Sequence, residues 1–95
     1  MTEDELDGFK HYIASNPKAG ALIQGTGGVR KVRWAVGGKG KSGGARVIYY
    51  YHNDKIPLFL LTVYVKSRKE TVTAQEKSKL RELARAIVET YRRKV

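Results

Sequence analysis

Ninety-five residues hold one domain with one modest hydrophobic core and leave no room for a second. Nineteen Lys and Arg against nine Asp and Glu give a net charge of +10, which points to a polyanionic partner, either nucleic acid or an anionic membrane surface. The absence of cysteine excludes disulfides and thiolate metal sites, and no run approaches the roughly eighteen apolar residues of a membrane span. The N-terminus is acidic (Glu3, Asp4, Glu5, Asp7), the opposite of a secretory signal, so a cytoplasmic, reducing setting is expected.

In chain order, Thr2 to Ser15 reads as a helix: Thr2 and Glu5 have capping-box spacing, and Leu6, Phe9 and Ile13 recur at helical intervals. Asn16-Pro17 stops it. Gly20 to Gly28 reads as turn-rich and irregular. Val29 to Val36 reads as a strand, residues 37–44 as a glycine-lysine loop, Ala45 to Tyr51 as a second strand and Ile56 to Lys66 as a third. Thr73 and Glu76 form another capping box. It opens a final helix with an apolar stripe of Leu80, Leu83, Ala84, Ile87, Val88 and Tyr91. The expected fold is α+β, with an N-terminal helix, a three-stranded antiparallel sheet and a C-terminal helix, residues 1–95 forming a single domain.

Charge is distributed unevenly. No carboxylate occurs from Gly8 to Asn53, whereas Lys10, Lys18, Arg30, Lys31, Arg33, Lys39, Lys41 and Arg46 all fall there. A solvated surface normally mixes signs, so a block of this kind implies a bound anion. Strand alternation sorts these side chains by face. If the Val32, Val47 and Phe59 sets lie against both helices, the opposite face gathers Lys31, Arg33, Arg46, Tyr64 and Lys66, flanked by Lys39 and Lys41. Tyr50 shares that face, where it either stacks on a base or packs in the core.

Several chemistries fail on spacing. Residues 35–42 satisfy a relaxed phosphate-loop pattern, but Gly43-Gly44 and a strand follow the Lys41-Ser42 pair where a helix is required. The two histidines, His11 and His52, are isolated, so no metal site and no cofactor are expected. The C-terminal helix must bury its stripe, which argues against a DNA-reading helix, and neither helix suits a membrane surface. A cationic face can, however, stabilise the extra negative charge of the phosphorane through which RNA is cut by its own 2′-hydroxyl. Lysine among other cations and tyrosine are suited to moving the protons.

The strings Gly25-Thr26-Gly27-Gly28-Val29-Arg30-Lys31-Val32-Arg33 and Gly38-Lys39-Gly40-Lys41-Ser42-Gly43-Gly44-Ala45-Arg46, with Leu60-Leu61-Thr62-Val63-Tyr64-Val65-Lys66, resemble the HigB branch of the RelE toxin superfamily. The likeness runs from about residue 2 to the end. It implies a type II toxin–antitoxin toxin, an mRNA interferase that cleaves A-site mRNA on the ribosome by metal-free 2′-hydroxyl attack. Carried over by position, Arg46 clamps the scissile phosphate, and Lys31 or Arg33 assists proton transfer and charge stabilisation. Tyr64 and Lys66 complete the catalytic set, and Arg30, Lys39, Lys41, Tyr50 and Arg68 are expected to bind RNA. The implied partners are mRNA and rRNA, and a cognate antitoxin, often a helix-turn-helix protein. Relatives usually begin with a strand ahead of the equivalent of Thr2, which is not seen here. An exposed sheet edge is therefore expected, paired in a homodimer or covered by antitoxin. The alternative on the same scaffold is a non-catalytic RNA- or ribosome-binding module.

Overall fold

A computed structural model of the chain describes residues 2–34, 44–65 and 72–93; Lys39, Lys41, Lys66 and Arg68 lie outside the described residues. Helix α1 spans Glu3–Ser15. The Thr2 hydroxyl accepts from the Glu5 amide, and the Glu5 carboxylate accepts from the Thr2 amide, which satisfies two of the donors a helix start leaves open. At the other end the Asn16 side chain donates to the Tyr12 carbonyl, and Pro17 prevents continuation.

The sheet has four antiparallel strands in sequence order: β1 (Ala21–Leu22), β2 (Val29–Trp34), β3 (Ala45–Tyr50) and β4 (Phe59–Val65). Helix α2 (Ala74–Arg93) follows, opened by the Thr73–Glu76 capping box. The expected meander thus gains one strand. β1 pairs Ala21 with Lys31 and Leu22 with Arg30, inside the stretch read as irregular. Its formation rests on the turn that follows. The buried Thr26 hydroxyl donates to the Ile23 carbonyl at 2.6 Å and accepts from the Val29 amide at 3.2 Å. Gly28 completes the reversal at φ 119°, a conformation a side chain would strain, and a Cβ there would lie 3.2 Å from the Tyr50 ring.

The second departure concerns layers. The two helices do not share a face of the sheet; they cover opposite faces. Phe9 and Ile13 of α1 pack with Val47 and Tyr49, joined by Val32, Trp34, Leu58 and Leu60. On the other face Val29, Ile48 and Tyr50 pack with Ala84 of α2, joined by Leu61, Tyr64, Leu80, Ile87 and Val88. All six residues of β3 are consequently buried. A strand covered on both sides needs apolar or aromatic residues at nearly every position, and Val47-Ile48-Tyr49-Tyr50 supplies them.

A β-bulge explains why β4 departs from simple alternation. Ile48 pairs with Thr62 but Tyr49 pairs with Leu60, so Leu61 is the extra residue. The bulge divides both expected sets. Leu58 and Leu60 join the α1 side, while Phe59, Leu61 and Tyr64 face α2, with Phe59 and Tyr91 ring centroids 6.0 Å apart. Among the described residues no strand pairs with the outer edge of β4.

Candidate RNA-facing site

Three residues from three strands form one row. Arg33 of β2 lies opposite Arg46 of β3, and Arg46 lies opposite Tyr64 of β4. Directly opposed residues share a face, so all three project on the α2 side. The next row on that face runs Lys31, Ile48, Thr62. At a strand spacing of about 4.8 Å, the three-residue row spans roughly 10 Å. β2 ends, β3 begins and β4 ends at this end of the sheet.

Two arginines placed directly opposite repel each other, an arrangement that costs stability. Their exposures differ. Arg33 is exposed, Lys31 half-buried and Arg46 only 8 % exposed. Lys31 and Arg33 make no hydrogen bond or ion pair with the described residues. Tyr64 is half-buried and its hydroxyl oxygen is buried.

Helix α2 closes one side of this row. Its first turns and the sheet enclose a cleft of about 300 Å³, walled by Ile48, Thr62 and Tyr64 beneath and by Val72, Glu76 and Leu80 above. The row therefore borders a covered cleft, where an open basic sheet face was expected. Strand alternation does not point to Glu76 and Leu80 of α2 or to Val72 before it, because it puts both helices on the other face. The signal that could have found them is β3 itself, which is apolar at both odd and even positions.

The remaining expected residues are placed elsewhere. Arg30 lies opposite Tyr49, on the α1 face, and its Nη1 donates to the carbonyls of Gly20 at 2.7 Å and Lys18 at 3.3 Å. Tyr50 is on the same face as the row but packs under α2, 3 % exposed, with its hydroxyl 3.1 Å from His52 Nδ1. Burial holds its phenol above the ordinary tyrosine range. The structure thus brings together Lys31, Arg33, Arg46 and Tyr64, and sets Arg30 and Tyr50 apart from an accessible surface on that row.

No helix among the described residues is long and apolar enough to cross a membrane. No group of three or more His, Asp or Glu among them is arranged to hold a metal ion. Compared with known protein families, residues 14–95 match the family described as the RelE toxin of the RelE/RelB toxin–antitoxin system. The match includes all four residues of the cluster.

Proposed function

The chain belongs to the RelE toxin family, and we propose that it acts as a ribosome-dependent endoribonuclease of the HigB type, cutting mRNA in the A site and so arresting translation. A toxin of this family pairs with a cognate antitoxin, and its members are generally endoribonucleases. The observation that carries the finer reading is the Arg33–Arg46–Tyr64 row with Lys31 beside it.

The chemistry follows from what each group can do. The 2′-hydroxyl of the nucleotide before the cut attacks phosphorus and loses its proton, the P–O5′ bond breaks, and the departing 5′-oxygen takes a proton. The products are a 2′,3′-cyclic phosphate and a 5′-hydroxyl. Arg46 and Arg33 face the non-bridging oxygens from adjacent strands and neutralise the charge that grows on them. Guanidinium does not deprotonate at working pH, so proton transfer falls to Lys31 and to Tyr64, with Lys66 as a further candidate. Lys39, Lys41 and Arg68 add contacts to the RNA. The working compartment is the cytoplasm, where ribosomes are met. The antitoxin is a small protein, of helix-turn-helix type, and the outer edge of β4 serves a second copy of the chain or that antitoxin.

The burial of Arg46 and of the Tyr64 hydroxyl favours the second reading, a non-catalytic RNA-binding module with the same cations. An mRNA carrying a single 2′-deoxynucleotide at the cut position separates the two. Under the nuclease reading, programmed ribosomes bearing the all-ribose message yield a cyclic-phosphate end, and the deoxy message stays whole. Cutting of the deoxy message at the same place would exclude 2′-hydroxyl attack.

A further inference from the structure

The exposed side of α2 carries cations that the row does not use. At about 100° per residue, Arg81, Arg85 and Arg92 fall within about 40° of one another, forming one stripe. All three are exposed, and none makes an ion pair or hydrogen bond with the described residues. They line a groove of about 420 Å³ whose other wall is the β1–β2 turn, and whose floor includes Tyr50 and Val88. The turn approaches closely: a Cβ at Gly27, whose φ is 74°, would sit 4.0 Å from Arg81 Cγ.

The groove continues the row. Tyr50 follows Ile48 by two positions along β3, and Ile48 is the partner of Lys31. The groove floor thus begins roughly 7 Å from the Lys31 row, on the same face of the sheet. From Arg81 to Arg92 the stripe extends about 16 Å along the helix axis, the length of roughly five stacked nucleotides at about 3.4 Å each. Guanidinium groups bind phosphate through two parallel hydrogen bonds. One carboxylate, Glu89, also lines the groove, four residues from Arg85 and three from Arg92, but it makes no ion pair with either, and the three arginines outnumber it.

We propose that Arg81, Arg85 and Arg92, with the Gly27 turn, form a second phosphate-backbone site that holds the RNA strand after it passes the Arg33–Arg46–Tyr64 row. The proposal rests on the reading that this row faces RNA. Continuity with the row on one face of the sheet favours RNA over an acidic protein segment. The site acts in binding alone, so its loss weakens capture of RNA without altering the bond-breaking step.

The test uses the full chain and a fluorescent, uncleavable 2′-O-methyl single strand of about twelve nucleotides, within the usual span of a single-strand groove. Anisotropy is followed across a salt series for three variants. In the first, Arg81, Arg85 and Arg92 are changed to Gln; in the second, equal in net charge, Lys10, Lys18 and Lys55 are changed to Gln. The third carries Arg33→Ala and Arg46→Ala. Thermal melts establish that each is folded. The stripe variant is expected to bind at least about tenfold more weakly. Its salt slope should fall by about 2, at about 0.7 per lost contact, while the charge-matched control changes by less than about threefold. Equal losses in the stripe variant and its control would overturn the site, leaving only net charge. So would unchanged RNA affinity together with lost binding of a polyglutamate peptide, which would assign the stripe to an acidic protein. A row variant that binds normally while the stripe variant does not would remove RNA from the row but keep the groove.

Discussion

The Tyr49 hydroxyl ties the segment before β1 to the centre of the sheet. It accepts from the Gly20 amide at 2.9 Å and donates to the Pro17 carbonyl at 2.8 Å, from a ring with no exposed surface. Arg30 reinforces the same segment from the side. Tyr49→Phe leaves both backbone groups without that partner, and a loss of about 1–3 kcal/mol in urea unfolding is expected. The same residue predicts a pH dependence. Burial raises its phenol pKa above 10.0, outweighing the Gly20 amide and Arg30, which act to lower it. The folded chain then holds the proton more tightly than the unfolded chain, so this contribution is complete below about pH 10 and declines as pH rises through and beyond that value. The stability gap between wild type and Tyr49→Phe should shrink above about pH 10; a constant gap up to pH ~11 would refute the assignment. At this scale the sequence was only partly legible. Arg30 and Tyr50 sit in a basic, aromatic stretch that suggests RNA contact, but residue type does not distinguish a cation bound to carbonyls from a free one. Partners twelve and ten positions away, at Lys18 and Gly20, decide it.

At the level of elements, capping chemistry and periodicity specify both helices, and β-branched and aromatic runs specify β2, β3 and β4. β1 was hidden because two residues make no alternation; its pairing depends on the local Thr26 hydroxyl bonds to Ile23 and Val29, which a Gly-Thr-Gly-Gly run does not announce. The Leu61 bulge was hidden for a different reason. Residues 58–61 are all apolar, so no polar residue marks where the two faces exchange. By taking Leu61 out of the ladder, the bulge lets Tyr64 lie beside Arg46 while Leu60 stays opposite Tyr49. Removing Leu61 takes out the unpaired residue, so Leu60 and Thr62 become neighbours that keep their partners Tyr49 and Ile48 and their opposite faces, and Tyr64 stays opposite Arg46. Deletion of Leu61 is therefore expected to retain cleavage and to lower the melting temperature about as much as Leu61→Ala, since both variants lose the same side chain from the α2 interface. A folded deletion variant that no longer cleaves, beside a Leu61→Ala variant that does, would show that this register does not set the site.

For the molecule as a whole, the net charge of +10 indicates a polyanion, and the fold determines where it meets the chain. The grouping of Lys31, Arg33, Arg46 and Tyr64 could be read from alternation because all but Tyr64 precede the bulge, and Tyr64 lies on the row side of it. The cover that α2 places over that face could not, since nothing in a helical stripe states which side of a sheet it will occupy. In the proposed function this row cuts mRNA on the ribosome. Arg46→Ala removes a nearly buried side chain together with the charge opposed to Arg33, so its thermal melt is measured first to establish that the variant is folded. Primer extension on one mRNA, naked and on programmed ribosomes, with wild type and Arg46→Ala, tests that function most directly. Cuts within the A-site codon are expected only when both the ribosome and Arg46 are present. Equal cutting by wild type and Arg46→Ala, or none by a folded wild-type chain that binds RNA, would contradict the proposed function.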